Sequence, residues 1–341
     1  MEQENFSRTG RDRSHLASQH IAFAAQAGSA GLVNALTVDV EDYFHVSAFE
    51  GVISPSDWDS MPHRVVGNTM RVLELFAEYR VRGTFFVLGW VAEKYPFLVR
   101  HIADAGHEIA SHGCSHRRLH HLNRNEVREE LYRSRVMLED MTGTPVEGYR
   151  APSWSICSST LWVLDELIEQ GYRYDSSIFP IYHDLYGIPD APRLPYVIRR
   201  EGGTLLEFPP TTYRFSIAGC RWNFPIAGGG YLRLLHPQMV QRGIRHVNLR
   251  EGTPAVLYFH PWEIDPKQPR VGVRGKSRFR HYLNLDKMEG RLRYLLVRNR
   301  FSSMCDVLQQ TDRDIVVDDP PSGLEATLHG TSDATLQQGE K

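Results

Sequence analysis

The 341-residue sequence has few cysteines, almost no net charge and no long apolar run, and each shortage excludes a class of protein. Its four cysteines form no C-x-x-C pair, which argues against a zinc ribbon, a redox motif or a disulfide framework. The net charge of −2 gives no electrostatic reason to expect nucleic acid or an anionic membrane as partner. No stretch is long and apolar enough for a membrane span or a signal peptide, which predicts a cytoplasmic protein.

Short apolar runs and helical stripes alternate along the first half of the chain. Hydrophobic residues make up 41% of the sequence, which is typical of a globular protein. Apolar runs predict five strands, over residues 32–40, 84–88, 107–110, 146–149 and 172–175. Apolar residues at helical spacing predict helices between them, over 64–79, 89–105 with a break near Pro96, 126–141, and from Ser158 or Ser159 through Ile168. This alternation predicts βα units and a parallel sheet, and therefore an α/β fold.

The second half of the chain has a looser pattern. A hairpin is predicted over 197–208, turned at Gly202-Gly203, and a helix over 231–247. A strand over 255–259 and a helix over about 286–297 follow. The polar residues 1–31 predict a flexible arm and residues 311–341 a disordered tail, so that residues 32–310 form the folded domain.

Polar side chains of catalytic type fall at the ends of the predicted strands. They are Asp39, His112 and His116, Arg150, Asp175 and His260. In a βα barrel the carboxyl ends of the strands surround one mouth, so these side chains are expected to lie together. Two histidines spaced four apart can bind one divalent cation, and the acidic cluster after the first strand offers a carboxylate ligand.

Five motifs, taken in order, resemble those of the polysaccharide deacetylases, the NodB-homology or carbohydrate esterase 4 family. The motifs are residues 37–42, 111–116, 150–152, 174–177 and 259–260. The resemblance covers about residues 32–265, and it is nearest to a branch found in exopolysaccharide loci with exosortase systems. That branch begins with D-V-E-D-Y/W-F-H and carries a C-terminal extension, which here would reach about residue 310.

The resemblance implies a distorted, incomplete (β/α) barrel that binds one divalent metal, usually zinc. Such enzymes remove acetyl groups from N-acetylated sugars, which predicts an N-acetylated glycan as substrate, here from an exopolysaccharide or its precursor. His112 and His116 would be metal ligands. Oligomeric state is left open by the sequence.

The catalytic roles also follow from the resemblance. Asp39 would be the general base, and Arg150 would hold it ionised through a charge-assisted pair. Asp175 would hydrogen-bond to His260 and tune it as the general acid. Trp154 and Trp262 are candidates for walls against which a sugar ring stacks.

The third metal ligand is where this sequence departs from the family. The family has two adjacent aspartates in the first motif, whereas here Asp39 is followed by Val40, Glu41 and Asp42. Side chains alternate along a strand, so Glu41 would share the face of Asp39 if the strand continued. If the strand ends at Asp39, the loop would present Asp42. The shorter side chain slightly favours Asp42, with Glu41 as the alternative.

Two other functions are compatible with the same motifs. The D-x-E beginning also resembles allantoinase-like amidohydrolases, which cleave a small cyclic amide. A non-catalytic glycan-binding module of the same fold is the third hypothesis, and it would be expected to lack catalytic residues that this chain retains.

Overall fold

The computed structural model describes residues 32–217 and 220–311. The predicted arm of residues 1–31 and the predicted tail from residue 312 onward lie outside the described residues. No helix within the described ranges is long and apolar enough to cross a membrane.

Nine strands of the described chain form one sheet, and two more form a separate hairpin. The strands are β1 (Asn34–Val40), β2 (Thr84–Val87), β3 (Glu108–Ser111), β4 (Gly148–Tyr149), β5 (Tyr174–Asp175), β6 (Tyr196–Arg200), β7 (Gly203–Glu207), β8 (Thr212–Ile217), β9 (Cys220–Pro225), β10 (Val256–Phe259) and β11 (Phe301–Ser302). The order in the sheet is β10-β1-β2-β3-β4-β5-β7-β6, with β11 also beside β1. All its pairs are parallel except β6 with β7. The sheet stays open between β10 and β6, as an incomplete barrel requires, so the predicted fold class is confirmed.

Helices pack around this sheet, most of them on its outer face. In the described chain they are α1 (Val65–Tyr79), α2 (Gly89–Lys94), α3 (Pro96–Asp104), α4 (Arg124–Thr142), α5 (Val163–Glu169), α6 (Gly230–Leu234), α7 (Pro237–Arg250), α8 (Gly275–Tyr282), α9 (Leu285–Leu296) and α10 (Met304–Thr311). Their ends follow local chemistry. Asn123 caps α4 in a capping box with Glu126, and Gly143 ends the helix at a positive φ of 66°.

Several boundaries differ from the sequence predictions for local reasons. The predicted helix over 231–247 is two helices, because Pro237 begins α7 and cannot continue α6. The helix predicted from Ser158 or Ser159 begins only at Val163. The Thr160 hydroxyl bonds backbone groups of the preceding turn there, and such bonds compete with helix formation. The sequence patterns did not predict the β8–β9 hairpin or α8.

Alternation along the strands decides which side chains reach the site. Leu36, Val38 and Val40 of β1 point outward into the large core between sheet and helices. Residues between them face inward, where Ala35 joins a smaller core and Asp39 meets Arg150. Asp39 therefore points to the inside of the open barrel, at the carboxyl end of the sheet.

Candidate active site

The carboxyl ends of β1, β3 and β10 open onto one cavity of about 410 Å³. Five of the predicted site residues line it: Asp39, Glu41, His112, His116 and His260. The sequence predicted that strand-end residues scattered along the chain would converge, and the structure brings these five together.

Glu41, His112 and His116 form a set that can hold a metal ion. One ligand atom from each lies within 4.8 Å of the others, and all three residues are buried. Oε2 of Glu41 lies 2.6 Å from Nε2 of His116, yet it has no well-aligned hydrogen-bond partner among the described residues. Two imidazole nitrogens converge with a carboxylate oxygen that has no hydrogen-bond partner among the described residues, and this set fits a divalent ion such as zinc.

The two histidines are oriented by their backbone surroundings. Nδ1 of His112 lies 2.8 Å from the carbonyl oxygen of Arg150 and donates its proton there, which leaves Nε2 free to bind a cation. Burial lowers the pKa of His112 to about 4, so its imidazole is neutral at pH 7, as a ligand must be. The loop turns back through Gly113 at a φ of 71° and His116 at a φ of 53°, and this left-handed backbone is strained at the non-glycine residue His116.

Glu41 is kept ionised by its neighbours. Burial by itself raises the pKa of this carboxyl, but the interactions with the neighbouring imidazoles of His116 and His260 outweigh burial and hold the pKa well below its usual range. The indole Nε1 of Trp262 lies 3.3 Å from Oε1 of Glu41 and steadies the side chain. The carboxylate is therefore charged and positioned before any cation arrives.

Asp42, the slightly preferred third ligand, is not in this set, so that prediction is corrected in favour of Glu41. One Asp42 oxygen accepts a hydrogen bond from the backbone N–H of Tyr43 at 2.9 Å. The other accepts from the backbone N–H groups of Arg64 at 2.7 Å and Val65 at 2.9 Å. The strand continues to Val40, so alternation carries Glu41 toward the face of Asp39 and turns Asp42 into the cap of the next helical turns.

Asp39 is held by Arg150, in the contact that the sequence predicted. Nη1 of Arg150 donates to Oδ1 of Asp39 at 2.6 Å and to the Thr37 hydroxyl at 2.7 Å. The other guanidinium nitrogens donate to the carbonyl and hydroxyl oxygens of Ser176, and the plane lies over the ring of Phe86. Arg150 is completely buried, and a buried charge persists only when it is paired and hydrogen-bonded in this way.

His260 faces the same carboxylates from the end of β10, the strand beside β1. Its Nε2 lies 3.9 Å from Oδ2 of Asp39 and 3.6 Å from Oε1 of Glu41. Burial by itself lowers the pKa of His260, but the negative charges of Glu41 and Glu263 outweigh burial and raise the pKa to about 9. The imidazole ring also stacks on Trp262, with 5.1 Å between ring centroids. The side chain therefore holds a proton on the nitrogen that faces the cavity.

The partner of His260 is Glu263 and not Asp175, so the sequence prediction is corrected here. Nδ1 of His260 lies 2.5 Å from Oε1 of Glu263, whose other oxygen accepts from Nε of Arg233 at 2.9 Å. Asp175 instead bonds the hydroxyl and N–H of Ser177. Glu263 occupies the third position of the turn Pro261–Ile264 that follows His260, where a glutamate reaches back to its cap residue. The spacing H-x-x-E was the sequence signal for it.

Asp175 belongs to a buried carboxyl pair behind the site. Asp175 and Glu207 stand opposite each other on β5 and β7. Burial raises the pKa of Asp175 to about 6, and burial together with the negative charge of Asp175 raises the pKa of Glu207 well above its usual range. Such a pair shares a proton near neutral pH. The contacts of Asp175 therefore indicate a structural role.

The two tryptophans proposed as walls both line the cavity, but each is largely buried. Trp154 packs against Phe179 and Tyr258. Trp262 lies between His260 and the ring of His281. The more exposed walls come from Leu185, Leu234 and Phe279, which the sequence analysis did not identify.

Comparisons with known proteins divide the chain into two adjacent segments. A family model described as polysaccharide deacetylase matches residues 57–174, and one described as a domain of unknown function, DUF3473, matches residues 176–309. His260, Glu263 and Arg233 therefore lie in the segment of unknown function, while Asp39 and Glu41 precede both matches.

Curated relatives match over part of their length. A peptidoglycan deacetylase of Helicobacter pylori is 32% identical over 108 residues, which are 32% of this chain and 36% of that protein. A chitooligosaccharide deacetylase of Sinorhizobium fredii is 35% identical over 115 residues, which are 33% of this chain and 53% of that protein. The chain thus spans about a third to a half of the length of the curated relatives it matches.

Solved structures share the fold over most of the chain. A proposed polysaccharide deacetylase from Mycobacterium smegmatis has a TM-score of 0.53 at 20% identity, over 92% of this chain and 98% of that one. A PuuE allantoinase has a TM-score of 0.51 at 16% identity, over 83% of this chain and 91% of that one. These structures agree with the open parallel sheet described above. The family model and the partial relatives show that residues 57–174 resemble a polysaccharide deacetylase domain, and the solved structures show the fold of the described chain.

Proposed function

We propose that the protein is a metal-dependent hydrolase that removes N-acetyl groups from N-acetylhexosamine units of an exopolysaccharide or its precursor. The observation that carries the proposal is the meeting of a possible metal triad with Asp39 and His260 in one cavity. The names of the curated relatives, which are deacetylases of peptidoglycan and chitooligosaccharides, support the same class of reaction.

Glu41, His112 and His116 would hold the metal, which we propose to be zinc. When bound, such an ion polarises the acetamide carbonyl and lowers the pKa of water toward neutrality. The protein contributes a buried, charged and oriented ligand set. Three protein ligands also leave a position open for substrate, as catalytic zinc sites require.

Asp39 acts as the general base in this proposal. Arg150 engages Oδ1, so Oδ2 is the oxygen that faces the cavity and can accept a proton from the attacking water. The buried guanidinium holds the carboxylate in a fixed orientation. The water oxygen forms the new bond to the carbonyl carbon, and its proton goes to Asp39.

His260 acts as the general acid. Its Nε2 faces the carboxylates of the site, while Nδ1 is held by Glu263. As the C–N bond breaks, the proton on Nε2 passes to the departing nitrogen, which is a poor leaving group without it. The products are acetate and a free amino sugar, and Glu263 stabilises the imidazolium before the transfer.

The test is acetate release from N-acetylglucosamine oligomers by the purified full chain, with and without added zinc. Asp39→Asn and His112→Ala should abolish release. Asp190→Asn and His246→Ala, which lie outside the cavity, serve as matched controls. The proposal would be refuted if the parent protein bound no zinc. It would also be refuted if Asp39→Asn still released acetate.

A substrate panel separates the proposal from the alternatives. Turnover of cyclic ureides or imides, with no acetate released from any glycan, would assign the site to a small cyclic amide. Glycan binding without turnover, unchanged by Asp39→Asn, would indicate a binding module. N-acetylated exopolysaccharides belong in the panel, because they are the substrate proposed here.

A further inference from the structure

Residues 266–285 concentrate positive charge that the net charge of the chain conceals. This basic segment contains six lysines and arginines and no acidic residue, in a chain whose net charge is −2. They are Lys267, Arg270, Arg274, Lys276, Arg278 and Arg280. All six are exposed, and within the described ranges none lies within ion-pair distance of a carboxylate. Exposed arginines elsewhere are commonly paired, as Arg71 is with Glu289.

The basic segment stands at the mouth of the cavity. Helix α8 lies within it, and Phe279 and Arg280 of this helix line the cavity. Lys276 precedes these residues by three and four positions, so it shares their face of the helix. The charged face of α8 therefore borders the opening and does not project from a remote surface.

Apolar side chains surround the same opening. Phe279 is 61% exposed, Leu234 52% and Leu185 50%, and all three line the cavity. They come from α8, from the end of α6 and from the loop before β6. Exposed apolar groups that gather at one place mark an interaction surface, whereas single ones scattered over a protein need no explanation.

A buried arginine holds this surface in place. Nη1 of Arg233 donates to the backbone carbonyls of Arg280, His281 and Leu283, while Nε of the same side chain pairs with Glu263. The end of α8 is thereby tied to the interior of the site. The combined charged and apolar surface is built by the fold and does not depend on a partner to form.

We propose that the mouth of the cavity docks on an anionic phospholipid membrane. The cations of the basic segment would bind the lipid phosphates. Phe279, Leu234 and Leu185 would enter the boundary between headgroups and acyl chains, as the apolar side of an interfacial helix does. Unpaired cations alone would fit any polyanion. The exposed leucines Leu234 and Leu185 favour a membrane, because acyl chains bury aliphatic side chains, whereas the C–H faces of a soluble anionic glycan stack mainly on aromatic rings such as Phe279. Docking would turn the opening of the cavity toward the lipid headgroups.

Vesicle sedimentation tests this proposal without any measurement of activity, so its failure is distinguishable from failure of the proposed function. The full chain is mixed with vesicles of phosphatidylglycerol and phosphatidylcholine in equal parts, or of phosphatidylcholine alone. Each cation near an anionic surface contributes about fivefold to partitioning, so the triple variant Arg274→Gln, Lys276→Gln, Arg278→Gln should bind about a hundredfold more weakly. Phe279→Ala should also weaken binding, and added salt should weaken the parent protein.

Matched controls lie on α7, which does not line the cavity. The triple variant Arg242→Gln, Arg245→Gln, Arg250→Gln removes the same charge from exposed positions, and Leu249→Ala removes an exposed apolar group. Both should bind vesicles as the parent does. Absence of vesicle binding, equal binding to neutral vesicles, or equal losses in the two triple variants would overturn the proposal. Binding to polygalacturonate but not to vesicles would assign the surface to an anionic glycan and would also overturn it.

Discussion

Exchanging the acids Glu41 and Asp42 for their amides should separate metal binding from stability. The two residues are adjacent in sequence, and both are buried. Glu41 directs an oxygen at the two histidines, whereas both oxygens of Asp42 accept hydrogen bonds from backbone N–H groups. Glu41→Gln should therefore lose metal and keep the fold, while Asp42→Asn should keep the metal site and lose stability.

The structure sets the expected size of each effect. Weakening a group that merely orients a metal ligand typically costs about 10- to 100-fold in affinity, so loss of the Glu41 ligand should cost about a hundredfold or more. Asp42 accepts three backbone N–H groups, with its two oxygens on opposite sides. An asparagine amide offers one oxygen, so at least one buried N–H is left without an acceptor. That loss costs ~1–3 kcal/mol in the free energy of unfolding.

Zinc affinity is measured by competition with a chromophoric chelator, and stability by urea unfolding of chelator-treated protein. Zinc at about a thousand times its dissociation constant should add ~4 kcal/mol to the stability of the parent protein and of Asp42→Asn. Glu41→Gln should gain little under the same conditions. Weak zinc binding by Asp42→Asn with full binding by Glu41→Gln would refute the assignment of the ligands.

Three further predictions follow from contacts around the site. Glu263→Gln should lower kcat about tenfold or more while zinc affinity stays as in the parent, because the histidine it orients is not a ligand; a change confined to KM would contradict this role. Glu207→Gln should stabilise the protein at about pH 8 but little at about pH 5. Burial and the charge of Asp175 raise the pKa of Glu207, so the parent protein loses stability as the pH rises from the unfolded pKa of this group toward its folded pKa, whereas the neutral amide has no proton to lose. Urea unfolding at both pH values checks this, and an unchanged pH slope would count against the carboxyl pair. Arg150→Lys should lose ~2–4 kcal/mol of stability and most activity, since an ammonium cannot reach all the acceptors of the buried guanidinium, Asp39 among them. Near-parental stability and activity would show that the several hydrogen bonds of the planar guanidinium are not needed.

The sequence by itself determined the fold class and the place of the site. The apolar runs that form β1, β2, β3 and β10 were visible as buried strands, because a parallel sheet covered on both faces needs continuous apolar segments. The βα alternation implied that their carboxyl ends meet at one edge. The histidine pair at 112 and 116 followed from its spacing at a strand end, and the Asp39–Arg150 contact followed from the resemblance to known motifs.

Only the tertiary structure decided which of two neighbouring acids faces the metal-binding histidines. Glu41 and Asp42 are both acids after the same strand, and composition does not say which oxygen faces the histidines. The choice rests on where β1 ends and on the backbone of Arg64 and Val65, which is remote in sequence and engages Asp42. A strand that ended one residue earlier would have turned the side chains the other way.

The same reason explains the remaining corrections. Asp175 was assigned to His260 by motif order, but on β5 it faces the carboxyl of Glu207, and the turn after β10 supplies Glu263 instead. The basic segment was readable as six uncompensated cations, yet its position at the mouth of the cavity was not. Local pattern determines which elements form, because propensity and periodicity act over a few residues. Which side chains face one another depends on contacts between residues far apart in the chain, and only the folded structure decides those.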